Sequence, residues 1–441
     1  MDRRQFIKIS GVSAAALGLS ACNPGTGSQK ESLKESPVQG QVVQNYTGVG
    51  LLGYGCMRWP MLGKEETSEV DQQTVNELVD EALSHGVNYF DTAPVYMRGL
   101  SELAAATALN RHPREKWLLA TKLSNFSDPG YESAVRMYRH SLEIFNTDHI
   151  DYYLLHSLSG KDAFDKRFAS SGIMDFLLEE REKGHIRNLG FSFHGKQEGF
   201  EELLALHQTY HWDFVQIQMN YQDWNNSTGR NTDASILYEK LSELDIPVVI
   251  MEPLLGGRLA DIPAAQAARL KAVEPERSIA SWAFRFCGSF PKVLTVLSGM
   301  ENADHLRDNL HTFTDFKPLT EEEFALADQV GAEISSYPLI RCTSCQYCMP
   351  CPYGIDIPGI FRFYNRTINE GTYVSSSLQK DYARSRRRYL ALYDKSVETV
   401  RQADHCIRCG RCNKACPQHI RIPAELRRID KYVEKLRLGE I

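Results

Sequence analysis

From about Val49 to Gly299, short apolar runs alternate with stretches whose apolar residues recur every three or four positions. The runs are Gly50–Met57, Val87–Thr92, Trp117–Leu123, Ile150–His156, Ile186–Phe193, Phe214–Met219, Ile246–Met251 and Val293–Leu297. Continuous apolar runs bounded by polar segments fit strands buried on both faces. The intervening stretches read as amphipathic helices. Within Asp71–His85, Val75, Leu78, Val79, Ala82 and Leu83 share one face, and Gly86 supplies a C-terminal stop. Val135, Tyr138, Leu142 and Phe145 repeat the pattern after the third strand, and Leu237, Leu241 and Leu244 after the sixth. Eight strand–helix units over about 250 residues predict an α/β chain built on a (β/α)8 TIM barrel. An open doubly wound sheet is the alternative, but no G-x-G-x-x-G follows the first strand. Glu321–Ser336 reads as an extra helix packed on the barrel.

The rest of the chain divides by composition. With 441 residues, two domains are expected. A hydrophobic content of 42% and a charged content of 24% are ordinary for a globular protein, and the net charge of −6 gives no reason to expect nucleic-acid binding. No stretch is long and apolar enough for a mature transmembrane helix. Asp2-Arg3-Arg4-Gln5-Phe6-Ile7-Lys8 resembles a twin-arginine export motif; an apolar stretch to Ala21 follows, and Leu19-Ser20-Ala21-Cys22 resembles a lipobox. The bland alternative is a basic tail. The boundaries expected are a signal peptide at 1–22, a flexible tether at 23–45, the barrel at 46–336 and a second domain at 337–441. This predicts a lipoprotein anchored at Cys22 on the periplasmic side of a bacterial envelope, exported by the twin-arginine route, with room for a redox partner in the membrane.

Eight of the eleven cysteines lie in the second domain, in two runs. Cys342, Cys345, Cys348 and Cys351 precede Pro352; Cys406, Cys409, Cys412 and Cys416 precede Pro417. Steps of three residues let one loop aim three thiolates at one [4Fe–4S] cluster, while the fourth cysteine, before proline, often serves the other cluster. The crossed pattern joins Cys342, Cys345 and Cys348 to Cys416, and Cys406, Cys409 and Cys412 to Cys351. The first run is one residue short before Cys351, which makes that ligand the less certain one. Zinc would prefer two C-x-x-C pairs, disulfides would be strained at this spacing, and a single cluster would leave spare thiols. Twin-arginine export carries folded, cofactor-loaded proteins, which favours clusters over disulfides. The 55 or so residues between the runs have helical character, including the basic stretch Arg384-Ser385-Arg386-Arg387-Arg388. A small, mainly helical, ferredoxin-like iron–sulfur domain follows the barrel on this reading.

The barrel's chemistry is expected at the C-terminal ends of its strands. Asp91 and Tyr96 follow strand two, Lys122 ends strand three and His156 ends strand four. Reducing a carbonyl by hydride requires a proton donor for the forming alkoxide. A tyrosine tuned by a nearby cation can give that proton, and a neutral histidine can orient the carbonyl oxygen. The segments Phe90-Asp91-Thr92-Ala93-x-x-Tyr96, Thr121-Lys122 and Leu155-His156 resemble the tetrad of the aldo/keto reductases. The resemblance implies Tyr96 as proton donor or acceptor, Lys122 and Asp91 as its tuners and His156 as substrate orienter. It also implies a nicotinamide cofactor, NAD(P)(H), lying across the barrel mouth. Ser192 and Gln216 would contact its carboxamide, Leu254 and Gly257 its pyrophosphate, and Ser298 and Asn309 the adenosine side. The C-terminal portion resembles the helical ferredoxin-type domain fused to a subset of these reductases.

The sequence departs from the family at Phe193, where asparagine is usual, and at Met251, where an aromatic is usual. The segment Ser298–His305 is acidic where a 2′-phosphate clamp would be basic, with Arg307 the obvious cation. Preference for the 2′-phosphate is therefore expected to be weak, leaving NAD(H) usable. The function expected is interconversion of a small carbonyl and its alcohol, coupled to iron–sulfur electron transfer. Two alternatives remain open: an electron-transfer subunit with a non-catalytic barrel, and a reductase whose clusters are structural.

Overall fold

A computed structural model describes residues 38–45, 47–63, 68–229 and 231–441. The twin-arginine motif and Cys22 lie outside the described residues. Eight parallel strands close a barrel in sequence order: β1 Leu52–Gly55, β2 Tyr89–Asp91, β3 Leu118–Leu123, β4 Ile150–Leu158, β5 Ile186–Phe193, β6 Phe214–Gln218, β7 Val248–Met251 and β8 Val293–Ser298. Closure runs through β1 and β8, with Leu52 opposite Val296 and Tyr54 opposite Ser298. The interior is filled by side chains rather than open. Tyr152 meets Tyr89 at a tilt at 4.9 Å and Phe214 edge-on at 5.1 Å, beside Ala120, Leu154, Val249 and Leu294. Each fully buried aromatic or branched chain stabilises the barrel by roughly 1.5–3 kcal/mol.

Local sequence explains the element ends. Asp71 caps the helix Gln72–Ser84 by accepting from the Thr74 amide at 3.1 Å, and Val75, Leu78, Val79 and Ala82 are its buried face. Gly86 follows with φ of +84°. Thr320 and Glu323 form a capping box that starts Glu321–Ser336. Gly190 has no room for a side chain, since a Cβ there would meet the Phe214 carbonyl at 2.2 Å, so β5 and β6 can lie close beside Ser192 and Gln216.

Three differences from the sequence expectations have local causes. The first strand is shorter than Gly50–Met57 because Cys56–Arg58 coils into a 3-10 turn. Leu244 is 44% exposed, because the helix Ala234–Glu243 ends before it. The tether does not reach residue 45: Val42 is buried, and Val42 and Val43 donate backbone hydrogen bonds to His85 and Phe313.

Beyond Ser336 the described residues form helices, with Ile357–Asn369, Tyr382–Ser396 and Ile422–Leu438 the longest. Ile360, Phe361, Tyr364, Tyr389, Tyr393, Ile429 and Val433 make their common core, and Cys416 belongs to it. Residues 40–441 cluster as one body. The join is polar and specific. Arg341 pairs with Asp223 at 2.8 Å and donates to the Asn226 carbonyl at 2.9 Å, and Gln418 donates to Gln218 at 3.3 Å.

Candidate active site and cysteine centres

Asp91, Tyr96, Lys122 and His156 meet at the C-terminal end of the barrel, all of them buried. Asp91 is the last residue of β2. Tyr96 follows a tight turn and precedes Met97 and Arg98, both held in the left-handed region at φ of +50° and +59°. The Lys122 ammonium on β3 donates to Asp91 Oδ1 at 2.6 Å and to the Thr92 carbonyl at 2.7 Å. His156 sits where the β4–β5 register shifts between Leu155 and Leu158, an irregularity that re-aims a side chain at a strand end.

The electrostatics differ from the sequence expectation in one respect. Lys122 lies 4.9 Å from the centre of the Tyr96 ring but gives its protons to Asp91 and Thr92. Burial, followed by the Asp91 charge, pushes the Tyr96 hydroxyl well above its ordinary value. The ring therefore keeps its proton, ready to give. His156 is held neutral by burial and then by the positive charges of Lys122 and Arg167. Its ring meets Tyr96 edge-on at 5.6 Å, and its Nδ1 pairs with the Ser124 hydroxyl at 2.6 Å. A Ser124 hydroxyl donating to Nδ1 leaves the ring proton on Nε2. Arg167 braces this arrangement, donating to the His156 carbonyl at 2.6 Å and stacking on Phe126 at 4.2 Å. Ser124 and Arg167 escaped the sequence reading because nothing in their spacing marks them as partners of His156.

The residues assigned to a dinucleotide are placed unevenly. Ser192 and Gln216 are buried neighbours across β5 and β6. The Ser192 hydroxyl accepts from the Ser157 amide at 2.8 Å, and the Gln216 carbonyl oxygen is buried without a partner. A carboxamide N–H would satisfy that oxygen, so this end fits a nicotinamide. Phe193 turns away and packs on Phe200 at 4.7 Å. Leu254 and Gly257 form one turn, joined by a 3.0 Å backbone hydrogen bond, and Gly257 has nothing within 4 Å of where a Cβ would lie. Asn309 donates to Ser298 at 2.7 Å. Arg307 is engaged by Glu81 at 2.9 Å.

The cysteines fall into two groups. Cys342, Cys345, Cys348 and Cys416 line one small cavity, together with Ile357, Phe361 and Ile422. Cys406, Cys409 and Cys351 are cysteines within electrostatic reach of Cys412. These are the sets that the crossed pattern pairs, Cys351 included. Among the described residues, no three His, Cys, Asp or Glu side chains are set for a single metal ion. Burial raises the thiols of Cys342, Cys345 and Cys348, Cys345 to about 12, so a bound cationic centre is what would hold them as thiolates.

The sequence did not show that the first cysteine loop closes on the barrel mouth. A Cβ on Gly256 would lie 2.1 Å from the Thr343 carbonyl oxygen, and Arg58 from the turn after β1 donates to that same carbonyl. Tyr347 lies within electrostatic reach of Asp91, Tyr96 and Glu252. Glu252, directly after β7, has its carboxyl raised by burial, with Arg58 opposing. Its strand-end position was the one available signal for it.

Comparison with known proteins agrees with this geometry. Residues 51–332 match the aldo/keto reductase family, and residues 338–420 match a 4Fe-4S dicluster domain. An uncharacterized oxidoreductase, YqkF, from Bacillus subtilis is 26% identical over 62% of this chain and 89% of its own length. A 9,11-endoperoxide prostaglandin H2 reductase from Trypanosoma cruzi is 25% identical over 66% and 93%. In fold, the chain resembles the holo form of aldo-keto reductase AKR11C1 from Bacillus halodurans, with a TM-score of 0.52 and 23% identity over 66% of this chain and 96% of that one. It also resembles an aldo/keto reductase from Klebsiella pneumoniae solved with NADP and acetate, with a TM-score of 0.51 and 19% identity over 66% and 93%. The chain therefore belongs to the aldo/keto reductase family of oxidoreductases, which act on small carbonyl or alcohol substrates, and carries a 4Fe-4S dicluster domain at its C-terminus.

Proposed function

We propose that the chain interconverts a small carbonyl compound and its alcohol at the Asp91–Tyr96–Lys122–His156 site, and that this chemistry is coupled to one-electron transfer in the C-terminal domain. The observation that carries the reading is the assembled tetrad, with a buried protonated tyrosine beside a neutral histidine. Ser192 and Gln216 would hold the carboxamide of a nicotinamide, which would supply the hydride when bound. Tyr96 gives its proton to the substrate oxygen as negative charge develops there, which is typically a factor of about 10²–10⁴ in rate. His156 donates from Nε2 to the same oxygen and fixes its direction. Lys122 stays charged against Asp91 and stabilises the phenolate left behind.

The ribose end supports use of NAD(H). Arg307 is tied to Glu81, and Glu301 and Asp304 are exposed acids in the same stretch, Glu301 lying 3.8 Å from Arg58. An acidic group beside the ribose favours a free 2′-hydroxyl over a phosphate. Two four-iron clusters are assigned to Cys342, Cys345, Cys348 and Cys416, and to Cys351, Cys406, Cys409 and Cys412. Such clusters supply one-electron chemistry when bound. The close packing of Thr343 on Gly256 supports coupling between the two centres, because the cysteine loop and the cofactor loop cannot move separately. The N-terminal motifs support export by the twin-arginine route, a lipid anchor at Cys22, and a membrane partner on the periplasmic side.

The test is anaerobic purification of the full chain followed by Tyr96→Phe. Loss of carbonyl reduction with unchanged iron content and visible spectrum is expected. Retention of full carbonyl reduction would move the chemistry away from the tetrad.

A further inference from the structure

We propose that the surface around Cys351, Cys406, Cys409 and Cys412 is a docking site for a small acidic one-electron carrier protein. This rests on the reading that these cysteines hold a cluster. It names the partner that such a cluster would meet.

The two cysteine groups have different surroundings. The first lines an internal cavity and abuts the barrel, with Thr343 on Gly256. The second lies at the surface: Cys409 is exposed and Cys406 and Cys412 are half-buried. Its neighbours are apolar side chains left in water, with Tyr353 at 47%, Val400 at 70% and Ile407 at 57% exposure. These belong to one patch. Arg401 donates from Nε to the Gly354 carbonyl at 3.2 Å, and the Asp356 amide donates to the Arg401 carbonyl at 3.0 Å, which holds the 399–401 turn beside the loop that follows Cys351. Ile407 directly follows Cys406.

The rim is basic. Arg408, Arg411 and Lys414 are exposed and Arg401 is half-buried. The cysteine loop 406–416 carries no carboxylate; the acids nearby lie toward the 398–405 turn, namely Glu398, Asp394, which accepts from Gln402, Asp404, 3.8 Å from His405, and Asp430, within electrostatic reach of Asp404. A few apolar groups inside a charged rim describe a small, transient, electrostatically steered contact. The positive rim against a chain of net charge −6 is local, so it selects an acidic partner that approaches this face in particular. Three separate apolar side chains suit a protein contact better than insertion into a bilayer, which calls for a continuous apolar face.

The test uses the full chain, purified anaerobically, with iron content and visible absorption recorded on each sample. The probes are a flavodoxin as the acidic carrier, cytochrome c as the basic one, and vesicles of phosphatidylglycerol. Flavodoxin is expected to bind, and to bind at least about tenfold more weakly at roughly 0.3 M salt than at low salt. Cytochrome c is expected to bind at least about tenfold more weakly than flavodoxin. The pair Arg408→Glu and Arg411→Glu should weaken flavodoxin binding by a similar factor with iron content intact. If that pair fails to assemble, Lys414→Glu with Val400→Ser serves instead, with about threefold weakening expected. Equal binding of both carriers, charge-insensitive binding, or binding confined to the vesicles would overturn the proposal. An iron-free second cysteine group would overturn the cluster reading and the docking site with it, whereas intact clusters without flavodoxin binding would remove the docking site alone.

Discussion

On the β2–β4 side of the barrel mouth, the functional groups are held by other residues of the barrel: Lys122 by Asp91 and Thr92, and His156 by Ser124 and Arg167. On the opposite side, the groups that follow β1 and β7 are met by the C-terminal domain, with Arg58 donating to Thr343 and Gly256 packed beneath it. The first side keeps the family's tetrad. The second is where the family pattern breaks at Met251 and in the acidic stretch after β8, while the departure at Phe193 ends β5. The Asp91–Tyr96–Lys122–His156 side is thus self-contained, while the side that follows β1 and β7 is shared with the cysteine-bearing domain. Chemistry that needs close geometry is kept on rigid strand ends, and adaptation is concentrated where loops meet a second domain.

The sharpest way to break this comparison is at Tyr96. Tyr96→Phe should lower carbonyl reduction by about 10²–10⁴-fold without changing the cysteine-domain spectrum. A comparable loss of iron in the same variant would show that the two halves are not separable. Lys122→Met tests the same side through stability. It leaves Asp91, 3% exposed, as a buried carboxylate without its cation, which costs roughly 3–5 kcal/mol, read by chemical denaturation. A cost below about 1 kcal/mol would mean that the pair is not a structural unit.

Gly256 and Gly257 test the shared side by contrast. Both have positive φ, at +68° and +93°, so alanine strains either one by about 1 kcal/mol or more. Only at Gly256 would the new Cβ also strike the Thr343 backbone, at 2.1 Å. Gly256→Ala should therefore raise amide exchange in the loop around Thr343, while Gly257→Ala leaves it unchanged. Equal exchange in the two variants would show that the contact does not tie the loops together.

The barrel was legible from periodicity because its strands are continuous apolar runs and its helices have one apolar face. Ile186–Phe193 and Glu321–Ser336 were readable to the residue. The tetrad was legible because its members fall at adjacent strand ends. Thr343 and Tyr347 were not. Their relation to the mouth depends on how a domain about 90 residues beyond β7 folds back, and no local pattern encodes that return. The raised Tyr96 hydroxyl was also hidden, since a lysine at the adjacent strand end says nothing of how far burial outweighs its charge.

A smaller effect follows from His156. Its pKa in the fold lies well below the ordinary 6.5 of the unfolded chain, chiefly through burial. Below about pH 6.5 the unfolded state binds the extra proton, so stability falls as pH falls through that range and is fully present above it. Reduction by the folded enzyme should meanwhile show no acid limb near 6.5, because the imidazole stays neutral there. Denaturation midpoints and kcat, followed over the same pH range, should therefore separate. An activity limb at 6.5 that disappears in His156→Gln would show a solvated, titrating histidine instead.

The smallest expected effect is at Arg307, and it bears on the shared side alone. If this guanidinium clamped a 2′-phosphate, Arg307→Ala would weaken NADPH binding by more than tenfold and leave NADH unaffected. Its Nε instead donates to Glu81 at 2.9 Å, on the helix Gln72–Ser84, so much of its charge is already used within the fold. The pair is partly exposed, and such pairs contribute about 0–1 kcal/mol. The variant should therefore change the NADPH-to-NADH binding ratio by no more than about threefold and stability by less than 1 kcal/mol. Glu81→Gln is the informative companion. Removing the Glu81 charge should raise NADPH affinity relative to NADH, which the arginine variant cannot do. If both substitutions leave the ratio untouched, Arg307 lies too far from the ribose to matter, and the acidic residues after β8 carry the preference by themselves.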